Sequence, residues 1–342
     1  MGQRLCTPIR VSALGIAVLI LMTAAPVAGQ VAPGAAKNAA GAKAWKQTRT
    51  PDGQPDLQGV WTNATLTPLE RPKEYAAKQF LTEAEAVEFA KKELNNVDGD
   101  RRDGGSDTDV NRAYNEFWRD RGQVTADRRT SLIIDPPDGR VPPLTAGAQK
   151  AAADRAAANR GHQFDGPENR NLAERCISVT NAGPPMMPAN YNANYQIVQA
   201  PGYVALLSEQ IHDVRVIPTD GRPHVSQNVR QLLGDSRGHW EGSTLVVETT
   251  NFTDRTAFRG SGEHLHLIER FTRTGADSMD YEFTMNDPES FTKPWTARVP
   301  MAKVAGPIYE YACNEGNYGL TGSLSGARAE EKRAEEAKKG SR

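Results

Sequence analysis

The feature that most constrains this chain is the rhythm of its C-terminal half. β-prone runs recur there at hairpin spacing with no helical pattern between them. Residues 195–199, the Pro201-Gly202 turn and residues 203–207 form a first pair, and 214–218 ending at Asp220-Gly221 begins the next. Trp240 with a Glu241-Gly242 turn leads into 245–252, and 264–274, the Gly275-Ala276-Asp277 turn and 279–285 make the clearest hairpin. Runs 295–301 and 307–311 follow; earlier in the chain, 57–62 and 129–135 read the same way, the second stopped by Pro136-Pro137-Asp138-Gly139. Strands so spaced favour antiparallel pairing in a barrel or sandwich, and closure into a barrel would remove the exposed edges.

Two helices precede this half. Thr82 and Glu85 form a capping box ahead of Ala86, Phe89 and Ala90. Thr145 caps an Ala-rich segment running to about Arg160 and ended by Gly161. The expected fold is therefore mainly β, an antiparallel β-barrel with helical insertions in the N-terminal half. Residues 94–109 read as a mobile surface loop. Asn96, Asp98 and Gly99 imitate part of a calcium loop there, but Leu94 and Gly105 occupy the first and last ligand positions, so calcium is rejected.

The domain plan is a signal peptide over 1–29, a flexible leader over 30–50, one β-barrel domain over 51–325 with its helical insertion at about 82–160, and a charged tail over 326–342. Arg4 and Arg10, an apolar run over 11–25 and small residues before a cut after Gly29 make the signal pattern. That run is too short for a bilayer span, which takes ~20 residues. Cys6 lies before the apolar run, where lipidation does not occur. The tail has Glu335 and Lys339 at i,i+4 spacing but no apolar face, so it reads as a solvated helix or disorder. The expected localisation is periplasmic or secreted, with no integral membrane span after cleavage. Cys176 and Cys313 then remain, and an oxidising compartment pairs them, at a gain of roughly 4–5 kcal/mol on the chain-entropy model.

With 41 basic and 42 acidic residues the chain carries no field favouring nucleic acid or an anionic membrane, so no nucleic-acid partner is expected. No nucleophile elbow, Walker loop or dinucleotide fingerprint occurs, and no cofactor is expected. His264 and His266 share a strand face and, with His212 or Glu269, compose a conceivable zinc set; metal-ligand spacing is absent elsewhere and no metal is assigned.

The expected site collects His212, Asp213 and Glu269 as catalytic residues and Arg215, Arg237, Trp240, His266 and Tyr311 as substrate-binding ones. Histidine changes charge near neutral pH, and a carboxylate can tune it. Neighbours on a strand point to opposite faces, so His212 and Asp213 form no dyad by adjacency. The segment 234–241 reads as a Gly-bounded loop presenting Asp235, Arg237 and Trp240 at a barrel mouth. In 265–271 either face could line a cavity, one bearing Glu269 and the other His266 and Arg270; cross-strand ion pairing on a solvated face is the competing account. Residues 181–195, rich in Pro, Met, Asn and Tyr, read as a loop pinned by the disulfide beside Tyr309, Tyr311 and Glu315.

Several stretches together resemble a group of uncharacterised secreted bacterial proteins: Asp56-Leu57-Gln58-Gly59-Val60-Trp61-Thr62, Asp135-Pro136-Pro137-Asp138-Gly139-Arg140, Gly234-Asp235-Ser236-Arg237, the run from Trp240 to Val247, Glu269-Arg270-Phe271-Thr272-Arg273 and Tyr309-Glu310-Tyr311-Ala312-Cys313. That resemblance covers most of the chain beyond the signal and brings no reaction with it. Gly59-x-Trp61 is also similar to the opening of lipocalin-type barrels, which implies a calycin-like frame.

The functional expectation is an exported barrel handling a small-molecule ligand or substrate. One form is a cofactor-free acid/base enzyme (lyase, isomerase or hydrolase) on a small organic or sugar-like substrate. The alternative is a non-catalytic carrier or sensor, with Trp61, Trp240 and Tyr311 supplying contact area; a structural envelope protein filled by its own side chains is the third. The sequence leaves the oligomeric state open.

Overall fold

The computed structural model describes residues 45–101, 105, 116–256, 258 and 260–340. The expected signal peptide, leader residues 30–44 and most of 102–115 lie outside the described residues. Ten strands form one antiparallel sheet: β1 Gly59–Thr62, β2 Ile133–Asp135, β3 Asn194–Ala200, β4 Tyr203–Ser208, β5 Val214–Pro218, β6 Asp235–Glu241, β7 Thr244–Thr250, β8 His266–Arg273, β9 Ser278–Asn286 and β10 Trp295–Val304. Nine of them run in the order β5-β4-β3-β1-β10-β9-β8-β7-β6, while β2 pairs with β10 beside that path. β1 takes the 302–304 half of β10 and β2 its 296–297 half.

Alternation decides which side chains are covered. In β8, Leu267, Glu269 and Phe271 are fully buried while His266, Ile268 and Arg270 lie on the other face. β9 contributes Met279, Tyr281, Phe283 and Met285 to the same interior, and β10 contributes Trp295, Ala297, Val299 and Met301. Trp295 meets the rings of Phe283 and Phe291 edge-on at 5.7 and 6.0 Å, and Phe271 lies 4.9 Å from Tyr281. The interior is thus filled by aromatic and aliphatic side chains rather than hollow.

The expected barrel is not closed. Successive antiparallel pairings along nine strands leave the outer two, β5 and β6, running parallel. They approach through side chains, since a Cβ on Gly238 would sit 3.0 Å from Cγ2 of Ile217 and of Thr219. No ladder joins them. Pro218, at the seam end of β5, lacks the N–H that an added strand would need.

Among the described residues three α-helices stand outside the sheet: α1 Glu83–Val97, α2 Ala146–Asn159 and α3 Tyr318–Gly340. The capping box of α1 is formed, Glu85 N–H donating to Thr82 Oγ1 at 3.3 Å and Thr82 N–H to Glu85 Oε2 at 2.8 Å. α3 begins well before the expected tail and buries none of its residues; Arg328 reaches from it to the Asp165 carbonyl at 3.0 Å.

Two segments depart from expectation. Residues 45–50 of the expected leader are docked, with Trp45 beneath the Arg273 guanidinium and Thr48 accepting from it. Residues 307–311 form no strand, because side chains rather than a neighbouring strand take their backbone donors: Tyr309 N–H gives to Glu209 Oε1 at 3.2 Å and Tyr311 N–H to His212 Nδ1 at 3.3 Å. The Cys176–Cys313 disulfide is present, tying this strap to the 171–185 loop. Such a bridge points to a non-cytoplasmic environment, and no helix among the described residues is long and apolar enough to cross a membrane.

Candidate functional site

The polar heart of the molecule is an ion pair buried against aromatic rings. Arg215 on β5 donates to both Glu269 oxygens on β8, at 2.5 and 3.0 Å. Tyr281 on β9 gives its hydroxyl proton to Glu269 Oε1 at 2.8 Å and accepts from Met186 N–H at 2.9 Å. Burial opposes the Arg215 charge, but the Glu269 carboxylate outweighs it and leaves the guanidinium pKa above its ordinary value. Burial, and then the neighbouring carboxylate, push the Tyr281 hydroxyl well above its ordinary range. Beside this cluster Tyr195, raised by burial, donates to the Asn181 carbonyl at 2.6 Å and accepts from Asn63 at 3.1 Å. Both Glu269 oxygens are taken by Arg215 and Tyr281, so the pair holds strands across the interior rather than presenting a reactive group.

Asp213 is different. It precedes β5 in the β4–β5 turn, where Ile211 and His212 both adopt left-handed backbone, φ 69° and 62°. A β-branched residue there is an outlier. Ser208 N–H to the Asp213 carbonyl at 2.9 Å and Ser208 Oγ to the Gln210 carbonyl at 3.0 Å hold the turn in place. The Asp213 carboxyl, half-buried, has no side-chain partner among the described residues, and burial raises its pKa. It lines a cleft of about 360 Å³ between β5 and β6, together with Ile177, Val214, Val216, Leu232, Leu233 and Ser236. Arg215 reaches the same cleft, and both also border a small inner cavity behind it.

Next to the cleft is a larger pocket of about 510 Å³. The 171–185 loop, the strap between β5 and β6, and the loop after β7 build it. Leu172, Val179, Pro184, Pro185 and Phe258 give it an apolar lining, Ser178 and Thr180 add hydroxyls, and Arg255 is the one charged side chain among the described residues that line it. Leu232 and Leu233 belong to both the pocket and the cleft. Gly183 sits at φ 78°, with a Cβ there only 2.9 Å from Met186 Cγ, so the tight turn at the pocket floor requires glycine.

The expected site residues do not share one enclosure. Arg215 and Glu269 meet and Asp213 adjoins them. His212 is exposed, and its Nδ1 accepts from Tyr311, because the left-handed turn swings it away from the seam. Tyr311 packs edge-on to Tyr191, 6.4 Å between centroids, over the disulfide strap. His266 points to the outer face of β8, 3.2 Å from Glu248, since its odd-numbered neighbours take the interior.

Of the segment 234–241, residues Asp235–Glu241 form a strand rather than a loop. That places Trp240 at the far end of the seam, lining an 80 Å³ cavity with Asp52, Gln54 and Tyr203. Arg237 lies on the outer face, donating to Asp235 Oδ1 at 2.6 Å and to the Pro223 carbonyl at 2.9 Å. The other Asp235 oxygen takes His224 Nδ1 at 2.8 Å and Val225 N–H at 3.1 Å, a pairing the sequence reading missed because His224 stands in an irregular strap. The pocket residues Leu232, Leu233, Arg255 and Phe258 were missed for the same reason: they lie in connections where no periodicity marks an inward face. No group of three or more His, Cys, Asp or Glu among the described residues is arranged to hold a metal.

Comparison with family models, curated proteins and solved structures finds no match to this chain.

Proposed function

We propose that the protein binds a small amphipathic molecule in the 510 Å³ pocket, on a barrel-like frame whose β5–β6 seam stays open. The pocket itself carries the reading: its volume lies within the range of about 300–1,000 Å³ usual for ligand sites, and its walls are apolar with a few convergent polar groups. Arg255, the one charged lining residue among those described, selects an anionic head group, a carboxylate or sulfonate, over a cationic one. Ser178 and Thr180 offer hydroxyls to the same head, and Phe258 and Leu233 offer surface to the apolar body.

A non-catalytic carrier or sensor fits better than an acid/base enzyme built on His212 and Glu269. His212 is engaged by the strap backbone, and Glu269 is saturated by Arg215 and Tyr281. Export to the periplasm or medium is the matching setting, supported by the disulfide.

The test is titration with the fluorescent apolar sulfonate 1-anilinonaphthalene-8-sulfonate, followed by displacement with alkyl carboxylates. Wild type should bind with micromolar affinity, Arg255→Gln should weaken the anion roughly 3–30-fold, and Leu233→Trp should fill the pocket and abolish binding. Equal binding by all three proteins would remove the pocket from consideration.

A further inference from the structure

We infer that the β5–β6 cleft is a second binding site, one that takes an organic ammonium group at Asp213. Three charged side chains line the cleft: Asp213, Arg215 and Asp235. Arg215 is neutralised by Glu269, and Asp235 by Arg237, with His224 also hydrogen-bonded to Asp235. That leaves the cleft with a single uncompensated carboxylate, partly withdrawn from water. An unpaired charge in such a place is held at a penalty that a cation of complementary shape relieves.

The backbone supplies further acceptors. The Asp213 carbonyl and the Thr219 N–H both bond to the β4 side, which turns the peptide groups of the odd residues of β5 inward to the sheet. Those of Val214 and Val216 therefore face the seam, where no strand pairs with them. An ammonium carries three donors, matching a carboxylate flanked by strand-edge carbonyls. Ile177, Leu232 and Leu233 give its hydrocarbon portion an apolar wall.

The strained turn fits this use. Ile211 and His212 occupy left-handed backbone immediately before the carboxylate, and strain of that kind is kept where the surroundings fix a side chain for function. Glu209, the other acid of the turn, is buried and already accepts from Asn194 and from Tyr309 N–H, so it does not compete for the ligand. The cleft shares Leu232 and Leu233 with the pocket but differs from it in the charge that governs it, Asp213 rather than Arg255.

The experiment uses n-hexylammonium chloride as probe, with tetramethylammonium and hexanoate as controls, measured by calorimetry and by amide chemical shifts on the whole protein. Hexylammonium should bind in preference to both controls and shift the amides of Val214, Val216 and Gly234. Asp213→Asn should weaken it roughly 10–100-fold while leaving anilinonaphthalene-sulfonate binding unchanged, and Asp213→Glu should restore part of the loss. Acidification through the Asp213 titration should release the amine; Arg215, Glu269, Asp235, His224, Arg237 and His212 are the other ionisable groups around it, and the Asn variant reports their share. Unchanged hexylammonium affinity in Asp213→Asn, or shifts confined to residues outside the cleft, overturns the assignment. Should the Asn variant not fold, the wild-type shift map and the Glu variant decide alone. Loss of sulfonate binding with amine binding intact would overturn the pocket reading and leave this one standing.

Discussion

The guanidinium of Arg215 forks onto the carboxylate of Glu269 at 2.5 and 3.0 Å, joining the free edge strand β5 to β8 across the interior of an unclosed sheet. Because no ladder links β5 to β6, this pair is a main tie drawing the β5 edge toward the far half of the sheet. Removing one partner leaves the other charge buried and uncompensated. Arg215→Met should therefore lower stability by about 3–5 kcal/mol in urea unfolding, and the double variant Arg215→Met with Glu269→Leu should recover most of it. A double variant no more stable than the single one would show that the pair carries geometry which packing cannot replace.

Asp213 should destabilise the folded protein at neutral pH. Burial raises its pKa above the ordinary 3.8, so the native state holds the proton more tightly than the unfolded chain does. Its favourable contribution is then fully present below about pH 3.8 and is lost as pH rises through the raised value. Asp213→Asn should melt higher than wild type at pH 7, with the difference vanishing near pH 3.5. A variant that melts lower than wild type at pH 7 would mean that Asp213 has a stabilising partner.

How far the sequence led is clearest along β8 and β6. In 265–271 the two-residue period sorted Leu, Leu, Glu and Phe from His, Ile and Arg, and the structure buries the first set. What the period left open was which face turned inward, since one carries a glutamate and the other a histidine and an arginine. Arg215, fifty-four residues upstream, settles it by neutralising Glu269, and a contact at that separation has no local signature. In 234–241 the glycines suggested a loop, yet Gly238 is a strand residue chosen for closeness to Ile217. The pocket was illegible for a related reason. Its lining comes from a strap and two loops whose side chains are aimed by the disulfide and by cross-chain hydrogen bonds, not by any repeat.

Gly122 tests the N-terminal packing that frames the sheet. Its φ is 63°, and a Cβ there would lie 2.1 Å from the Ala64 carbonyl oxygen. The obstacle is backbone, which cannot rotate aside as a side chain would. Around it, Leu66 N–H bonds to the Gln123 carbonyl at 3.0 Å and Thr125 N–H to Thr67 Oγ1 at 3.0 Å. Gly122→Ala should cost about 2–4 kcal/mol, through both the left-handed backbone and the forced separation of these segments. A thermal melt within a degree of wild type would rule out this close approach.

Reduction of the Cys176–Cys313 bridge should act on both stability and the pocket. The bridge spans 137 residues, so its loss frees a large unfolded-state loop worth roughly 4–5 kcal/mol on the chain-entropy model. Cys176 also stands within the 171–185 loop that forms one pocket wall, and it is the one buried residue over 171–180. The opposite end of the bridge is held by Glu209 on Tyr309, His212 on Tyr311 and Asn317 on the Glu174 carbonyl. With the covalent tie gone, those weaker bonds, together with Tyr195 on the Asn181 carbonyl, are left to order the wall. Cys176→Ser with Cys313→Ser should therefore melt lower and bind anilinonaphthalene-sulfonate more weakly than the stability loss by itself explains, since the measurement is made well below the melting point. If affinity at 10 °C matches wild type while only the melting point falls, the bridge stabilises the fold without shaping the pocket.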